Sequence, residues 1–341
     1  MIGTACRLPG GVHTLDDLSA ALDDARDAIT PPPPWRGFDA YRGDGPGRSY
    51  QLEGGWLDDD DVRGFDPTLF GMNAREARDL DPQQRLLLTC AREALDDAQV
   101  EPGELGRTGV YVGLSGSEYK VLAQRRGPEH ISPYIGTGTH PSAAAGRLAY
   151  LWDLEGPAVA IDTACSSGIV ALHHAIQALR SGDLDSAIVG AVNVLLDPEA
   201  HVSMAAMGTL SRRGACHSYS AHADGYVRSE GCVVLVLRRG EGTGRAVIRG
   251  SASNQDGRSS GLTAPRASAQ EAVLRAALAQ AEVAPADVAF HEGHGSATPL
   301  GDRVELTALG RVFAGRQGVP LGSAKARFGH LEAAAGLAGV L

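Results

Sequence analysis

A strand–helix–strand pattern in the middle of the chain constrains the fold more than any other feature. Residues 158–161 form a short apolar run that predicts a buried strand, and residues 187–190 begin another. Between them, the spacing predicts a helix that starts at Ser166 and stops at Ser181-Gly182. The apolar face of this helix consists of Ile169, Leu172, Ile176 and Leu179. Two strands joined by a helix predict a βαβ unit, and therefore an α/β fold with a largely parallel sheet.

The flanking regions extend this pattern. On the N-terminal side, the sequence predicts an irregular surface loop over the proline-rich residues 30–49, a helix over 81–99 and a strand over 109–114. On the C-terminal side, it predicts strands over 245–250, 288–291 and 319–323 and helices over 268–281 and 302–313. The similar order of elements predicts two related halves, residues 1–240 and residues 241–341.

The last residues of the sequence form an apolar segment. Residues 331–341 predict a helix with neither a C-cap nor a charged last turn. Because a domain does not normally end on a bare buried helix, we expect the C-terminal half to be incomplete at its end.

Composition and charge exclude several classes of protein. The formal net charge is −10 and no long basic run is present, which argues against nucleic-acid binding. No apolar run reaches about 18 residues, so no membrane span is predicted. The 5 cysteines contain no C-x-x-C pair, which argues against a structural metal site and favours a reduced, cytoplasmic location. A G-x-G at Gly136 and Gly138 lacks the third glycine of a nucleotide-binding loop.

One cysteine lies where a nucleophile is expected. Cys165 is between the end of a predicted strand and the start of the following helix, in the string DTACSSG. A sharp turn at this position places a side chain at the carboxyl edge of the sheet, where active sites of α/β proteins lie. Because a helix N-terminus favours negative charge, we expect it to stabilise a thiolate at Cys165.

Two histidines follow in loops that suit catalysis. His294 comes just after a predicted strand in HEGHGSATPLGD, where Ser296 and Thr298 add hydroxyl groups to the same loop. His330 lies in KARFGHLEAAAG, five residues after Lys325. A neutral imidazole can donate a hydrogen bond to a carbonyl oxygen that becomes an enolate oxygen. Taken singly, a histidine is more often an ordinary loop or core residue than a catalyst, and the chain has 11.

Together these motifs resemble the β-ketoacyl synthases, most closely the ketosynthase domains of modular type I polyketide synthases. The nucleophile motif of that family resembles DTACSSG, and its two histidine motifs, usually HGTGT and KSNIGH, resemble HGSATPLGD and KARFGHLEAAAG. Further similar strings are CRLPGG, LDPQQRLLL, RLAYLWDLEGP, ADGYVRSEG and SASNQDGRSSGLTAP. The resemblance covers nearly the whole chain.

The resemblance implies a thiolase-like, layered αβαβα fold of two similar halves and a homodimer. It implies that Cys165 carries the acyl group, that His294 and His330 assist decarboxylation and stabilise the enolate, and that Lys325 sets the local charge. Glu292 would support this network. Ser296 and Thr298 would contact a phosphopantetheine arm.

The resemblance also implies the partners of the reaction. The extender unit would be of the malonyl type and would be carried on the phosphopantetheine of an acyl carrier protein, with neighbouring polyketide synthase domains as possible further partners. No cofactor and no metal would be bound directly.

The chain departs from the family pattern at a few positions. Ala297 stands where the family usually has glycine, and it is expected to crowd the phosphopantetheine arm. Arg327 and Phe328 replace the usual Asn-Ile before Gly-His, and the cation is expected to lower the pKa of His330 or to block the substrate. A glycine- and phenylalanine-rich loop beyond the second histidine, which gives the family one oxyanion-hole N–H, is not present in this sequence.

Two alternatives stay open at this stage. A truncated, catalytically incompetent fragment could act at most in dimerisation or carrier docking. A thiolase or plant-type polyketide synthase would act on coenzyme A esters, but Lys325 and His330 argue against it. A loading domain that only decarboxylates normally lacks the cysteine, so Cys165 argues against that third possibility.

Overall fold

The computed structural model describes residues 1–24, 27–240, 244–315 and 318–341. The strands within this part are β1 (Gly3–Arg7), β2 (Ile29–Thr30), β3 (Gly54–Gly55), β4 (Thr108–Gly113), β5 (Ala158–Ile161), β6 (Ser186–Asn193), β7 (Gly231–Arg238), β8 (His291–Glu292) and β9 (Leu321–Gly322). The α-helices are α1 (Leu15–Asp23), α2 (Asp59–Arg63), α3 (Ala74–Asp79), α4 (Pro82–Asp97), α5 (Glu118–Gln124), α6 (Ile135–Thr139), α7 (Pro141–Leu151), α8 (Ser167–Ser181), α9 (Glu199–Ala206), α10 (Ala267–Ala281), α11 (Pro299–Val312), α12 (Lys325–Phe328) and α13 (Ala335–Ala338). The predicted boundary between residues 240 and 241 adjoins residues 241–243, which lie outside the described residues.

The central sheet has five strands in the order β1-β7-β6-β4-β5. β4 is parallel to both β5 and β6, as the βαβ pattern predicts. β7 is antiparallel to both β6 and β1, so the prediction of a largely parallel sheet is wrong for half of the pairings. The chain between β6 and β7 stays at the end of the sheet where β6 finishes, and β7 must therefore run back in the opposite direction.

β5 lies at an edge of this sheet. The prediction of its bounds is confirmed, but the prediction that it is buried is wrong, since Ala158 and Val159 are exposed. Within the described residues β5 pairs with β4 alone. An edge strand has one neighbour instead of two, so an apolar sequence does not by itself bury it.

Helices cover both faces of the sheet. α4 and α7 pack on one face, where Leu87 and Ala91 meet Val110 and Val112. α8 packs on the other face together with residues from the C-terminal half, including Leu331 and Leu337. The result is a helix–sheet–helix arrangement, in which α8 lies within the apolar core on the second face of the sheet.

The C-terminal half keeps its predicted helices but little of its predicted sheet. The helices over 268–281 and 302–313 are confirmed as α10 and α11, which pack against each other. The strands over 288–291 and 319–323 shrink to the parallel pair β8 and β9, and residues 245–250 form no strand. A strand exists only where a neighbour satisfies its N–H and C=O groups, and sequence pattern alone does not supply that neighbour.

The end of the chain is not one continuous helix. A 3₁₀ turn at Glu332–Ala334 and the single turn α13 replace the predicted helix over 331–341. Glu332 has a φ of 48°, in the left-handed region, and this breaks the helical path. The predicted burial is confirmed for Leu331 and Leu337.

The proline-rich stretch over residues 30–49 is more ordered than a surface loop. It contains 3₁₀ helices at Pro34–Arg36 and Phe38–Tyr41. Phe38 is buried, and Arg36 forms a buried ion pair with Glu230, so the surface prediction is wrong for these side chains. Side chains of an irregular segment can be buried when the interior offers an apolar neighbour or, for a cation, an opposite charge. Among the described helices, none has the length and hydropathy needed to span a membrane.

Candidate active site

The turn between β5 and α8 presents Cys165. Ala164, the residue before it, has a φ of 56° and forces a sharp change of direction. Ser167 fastens the turn, because its hydroxyl accepts a hydrogen bond from the N–H of Thr163 (2.9 Å) and donates one to the C=O of Ala164 (2.6 Å). Cys165 is exposed, whereas the other four cysteines are buried. The predicted position of the thiol at the carboxyl edge of the sheet is confirmed.

His294 lies in the loop after β8. The carboxylate of Glu305, on α11, accepts hydrogen bonds from the N–H of His294 (2.6 Å) and of Gly295 (2.9 Å). Gly293 permits this path, since a Cβ there would lie 1.9 Å from the Tyr219 hydroxyl. Sequence reasoning missed Glu305. A carboxylate in the second turn of the helix that follows the histidine loop is the signal that could have found it.

His330 is held at both its backbone and its ring. Its N–H donates to the C=O of Val227 (2.8 Å), and its C=O accepts from the N–H of Ser229 (2.9 Å). Its Nδ1 accepts a hydrogen bond from the N–H of Glu332 (2.9 Å). Because Nδ1 uses its lone pair in this way, the neutral ring carries its hydrogen on Nε2 and presents a donor to the site.

The structure brings these three side chains together. The sulfur of Cys165 and one ring nitrogen each of His294 and His330 all lie within 4.8 Å of one another. The two imidazole rings meet edge to face, with centroids 5.7 Å apart. Both histidines therefore lie next to Cys165 although they are distant from it along the chain.

A cavity of about 300 Å³ opens beside the cysteine. Cys165, His294, Glu292 and Lys325 supply its polar lining. The apolar part of the lining comes from Ile169, Leu331, Ala335, Ala338 and Val340, among others. The shape fits a pocket with a reactive end and an apolar wall.

Ser296 and Thr298 lie outside the lining of this cavity. Ser296 is buried, and its hydroxyl is 3.1 Å from that of Thr298. The structure therefore does not place these two hydroxyl groups beside the cysteine.

Burial keeps both histidines neutral. Burial and the nearby Lys325 ammonium together lower the pKa of His294 to about 4. His294 still has an exposed edge towards the cavity. The pKa of His330 is well below its usual value for the same two reasons, with His294 and Arg228 adding to the effect. Neutral imidazoles at physiological pH agree with the role predicted from the sequence.

The cysteine behaves differently from the sequence expectation. Although Cys165 keeps an exposed edge, the protein around its sulfur desolvates the thiol and raises its pKa, while the Lys325 ammonium acts to lower it. Desolvation thus outweighs the attraction that was expected from the helix N-terminus. Burial lowers the pKa of Lys325 and raises that of Glu292, whose carboxylate also accepts a hydrogen bond from the N–H of Ala324 (2.6 Å). The thiol consequently needs a neighbouring base to react.

Within the described residues, two groups have donor atoms close enough to hold a metal ion: Cys165 with His294 and His330, and His13 with Asp58 and Asp61. In the first group the His330 tautomer presents an N–H, not a lone pair, and the Lys325 ammonium opposes a further cation. In the second group Asp61 is already paired with a guanidinium. These features favour acid–base chemistry over metal binding at the cysteine.

The three residues that differ from the family pattern do not have the effects on the site that the sequence analysis expected. Ala297 has a φ of 56° and is buried against Cys216 and Val227, so its methyl group faces protein and not the cavity. Phe328 is buried in the core that residues of both halves form together. The cations that lower the pKa of His330 are Lys325 and Arg228, and Arg327 is not among them. Arg327 replaces the family's polar residue without adding its charge at His330.

The fold and the site together define an α/β protein of the thiolase-like class with a Cys–His–His centre. The family description "Beta-ketoacyl synthase, N-terminal domain" matches residues 1–242, and "Beta-ketoacyl synthase, C-terminal domain" matches residues 245–341. The chain belongs to the β-ketoacyl synthase family, which confirms the resemblance found in the sequence.

Its curated relatives are large polyketide synthases. Subunits C and B of the phenolphthiocerol/phthiocerol polyketide synthase of Mycobacterium tuberculosis are each 44% identical to it over its whole length. The chain spans only 16% and 23% of the length of these two relatives.

Solved structures agree with the family assignment. The Streptomyces albus JA3453 oxazolomycin ketosynthase domain OzmH KS7 is 35% identical with a TM-score of 0.91, and 60% of that chain is covered by the whole of this one. The ketosynthase from module 6 of the bacillaene synthase of Bacillus subtilis 168 is 35% identical with a TM-score of 0.88, over 99% of this chain and 59% of that one. The thiolase-like fold is thereby confirmed.

Proposed function

We propose that the protein catalyses decarboxylative Claisen condensation in polyketide biosynthesis. The observation that carries this proposal is the meeting of Cys165, His294 and His330 within 4.8 Å beside a cavity with an apolar wall. The chain would work as an acyltransferase of the 3-oxoacyl synthase type. Its substrates would arrive on the phosphopantetheine of an acyl carrier protein.

In the first half-reaction the sulfur of Cys165 attacks the carbonyl carbon of an acyl thioester. The thiol proton passes through a neutral imidazole, which can accept it because both histidines are uncharged. The C–S bond to the carrier breaks, and the carrier thiolate takes up that proton. The acyl group is now a thioester of Cys165.

In the second half-reaction a malonyl-type thioester enters the same cavity. Its carboxylate leaves as CO₂, and the bonding electron pair forms an enolate whose oxygen accepts hydrogen bonds from His294 and His330. The Nε2–H of His330 already points its donor away from Glu332, so no reorientation is needed. The enolate carbon attacks the acyl carbonyl, the bond to Cys165 breaks with the sulfur leaving as a thiolate that takes up a proton from water, and a β-ketoacyl thioester leaves on the carrier.

Other residues support these steps. The ammonium of Lys325 and the carboxylate of Glu292 share the cavity and attract each other, so they balance charge around the cysteine. Ser296 and Thr298 would contact the phosphopantetheine arm at the cavity mouth after a local rearrangement. The rearrangement is needed because neither residue belongs to the lining of the cavity.

The assembly around the site is part of the same proposal. A second copy of the chain would add to the exposed edge of β5, giving a homodimer. Neighbouring polyketide synthase domains would accompany it, since the chain spans only 16% of the length of a similar polyketide synthase subunit. Free thiols at all 5 cysteines favour a reduced, cytoplasmic location.

Mass spectrometry after incubation with an acyl thioester tests the proposal. The adduct should appear on the peptide that contains Cys165, and the peptides with the four buried cysteines serve as internal controls. Cys165→Ala should abolish the adduct. Adding a malonyl-loaded carrier should then release the acyl group as a β-ketoacyl product from the wild-type protein. An adduct on another cysteine, or one retained in Cys165→Ala, would contradict the proposal and leave a non-catalytic docking role.

A further inference from the structure

A buried ion pair lies directly behind His330. Arg228 is 3% exposed, and its guanidinium binds both carboxylate oxygens of Glu332, at 2.5 and 3.0 Å. Its remaining contacts are the carboxylate of Glu118 at 3.5 Å and Nδ1 of His201 at 3.0 Å. A two-point contact between a guanidinium and a carboxylate fixes orientation as well as distance.

This pair touches His330 from two directions. The backbone N–H of Glu332 donates to His330 Nδ1, so the position of Glu332 fixes the ring and its tautomer. The residues on either side of Arg228, Val227 and Ser229, bind the backbone N–H and C=O of His330. The ion pair between Arg228 and Glu332 therefore joins the two segments that hold His330 from either side.

We propose that the Arg228–Glu332 ion pair is a positioning device for His330, which holds its imidazole as an Nε2–H donor for the decarboxylation step. This proposal rests on the proposed function of His330. Arg228 and Glu332 are not members of the cluster that Cys165 forms with His294 and His330, so they act through His330 and are not catalytic residues.

The charges around His330 come from several elements. Lys325 on α12, His294 in the loop after β8 and Arg228 in the segment before β7 all lower its pKa. Neutral groups pack against it as well, with the Tyr226 ring centroid at 5.0 Å and the Cys165 thiol across the cavity. Glu332 compensates Arg228 from the other side. Removing Arg228 therefore takes away one cation that keeps His330 neutral, whereas removing the charge of Glu332 does not.

Two variants separate a positioning role from a structural one. Glu332→Gln keeps the backbone N–H but loses the charged anchor, and we expect kcat for malonyl decarboxylation to fall by about 10²-fold with little change in KM. Arg228→Met should lower kcat similarly. It should also move the acid limb of the pH profile to higher pH, because the pKa of His330 rises. Glu332→Gln should not move that limb upwards.

Three further variants and one spectroscopic measurement complete the test. Arg228→Lys keeps the charge but cannot bind both carboxylate oxygens, so it should lose part of kcat without a shift of the acid limb. Arg36→Met breaks another buried ion pair, Arg36–Glu230, and should lower stability without moving the limb. Histidine ¹⁵N NMR, assigned with His330→Gln, should show one Nε2–H tautomer in the wild type and a mixture in Glu332→Gln.

The outcomes are separable. A wild-type kcat, acid limb and tautomer in both Glu332→Gln and Arg228→Met would overturn the proposal. A shift of the acid limb in Arg36→Met equal to that in Arg228→Met would also overturn it. If the wild-type protein does not decarboxylate at all, the proposed function fails, and the NMR tautomer still decides whether the ion pair positions His330.

Discussion

Gly329 controls where His330 can lie. Its φ of 73° and ψ of −173° belong to a region that is essentially restricted to glycine. A Cβ at this position would be 2.0 Å from the Ser229 hydroxyl, and Ser229 in turn holds the backbone of His330. The glycine before the histidine is thus needed for the site's geometry and not only for a turn.

Gly329→Ala should therefore lower the free energy of unfolding by about 3 kcal/mol or more, from backbone strain and the steric clash together. Chemical denaturation measures this change. The matched control is Gly71→Ala, since Gly71 has a φ of 62° with no atom within 4 Å of its Cβ position. That control should cost only about 1–2 kcal/mol, the ordinary penalty of a left-handed alanine. Equal losses in the two variants would show that the clash with Ser229 is unimportant.

The buried histidines also set how stability responds to pH. The folded-state pKa of His294 is about 4, below the ordinary value of 6.5, and that of His330 is lowered as well. Between pH 4 and pH 6.5 the unfolded chain binds more protons than the folded chain. The free energy of unfolding therefore falls as the pH decreases from about 6.5 towards 4. His294→Gln should make this decrease smaller, as measured by chemical denaturation at pH 7.5 and pH 5.

A second histidine variant controls for that experiment. His130 is exposed, and His130→Gln should leave the pH dependence as it is in the wild type. If His294→Gln shows the full wild-type loss of stability on acidification, the neutral state assigned to His294 is wrong.

At the scale of elements, the periodicity of apolar residues predicted where strands and helices begin and end. The bounds of β5 and α8 follow from an apolar run, a helical face and Gly182, whose φ of 82° caps the helix. The exposure of β5 and the loss of a strand at residues 245–250 could not be predicted, because burial and pairing depend on neighbours that no local pattern specifies. The antiparallel direction of β7 likewise depends on the path of the chain before it.

In the candidate site, too, local motifs could be predicted from the sequence and long-range contacts could not. Cys165, His294 and His330 were identifiable because each lies in a specific motif at the end of a strand or the start of a helix. Arg228 was not, since a buried charge looks like any surface charge in a sequence. Its role follows from Glu332, a partner that is distant along the chain. The pKa of Cys165 was misjudged for a related reason, because desolvation depends on the whole surrounding structure.

At the scale of the molecule, the candidate active site is built between the two halves of the sequence. Cys165 comes from the first half, whereas His294, Lys325 and His330 come from the second. The core beneath them is also shared, because Leu331 and Leu337 pack with residues of α8, β6 and β7. Apolar contacts across the halves place the histidines opposite the cysteine, so the stability of this core and the geometry of the site depend on the same residues.

Truncating one side chain in this shared core should therefore destabilise the whole structure. Leu337 is completely buried, and Leu337→Ala should lower the free energy of unfolding by about 2–5 kcal/mol through lost burial and the cavity left behind. Because the core joins both halves, thermal unfolding followed by circular dichroism and by tryptophan fluorescence should shift together. Leu262→Ala is the control, since Leu262 is fully exposed and its loss should change stability by less than about 0.5 kcal/mol. Two transitions, with only one moved by Leu337→Ala, would show instead that the halves unfold independently and that the contacts of Leu337 do not join them.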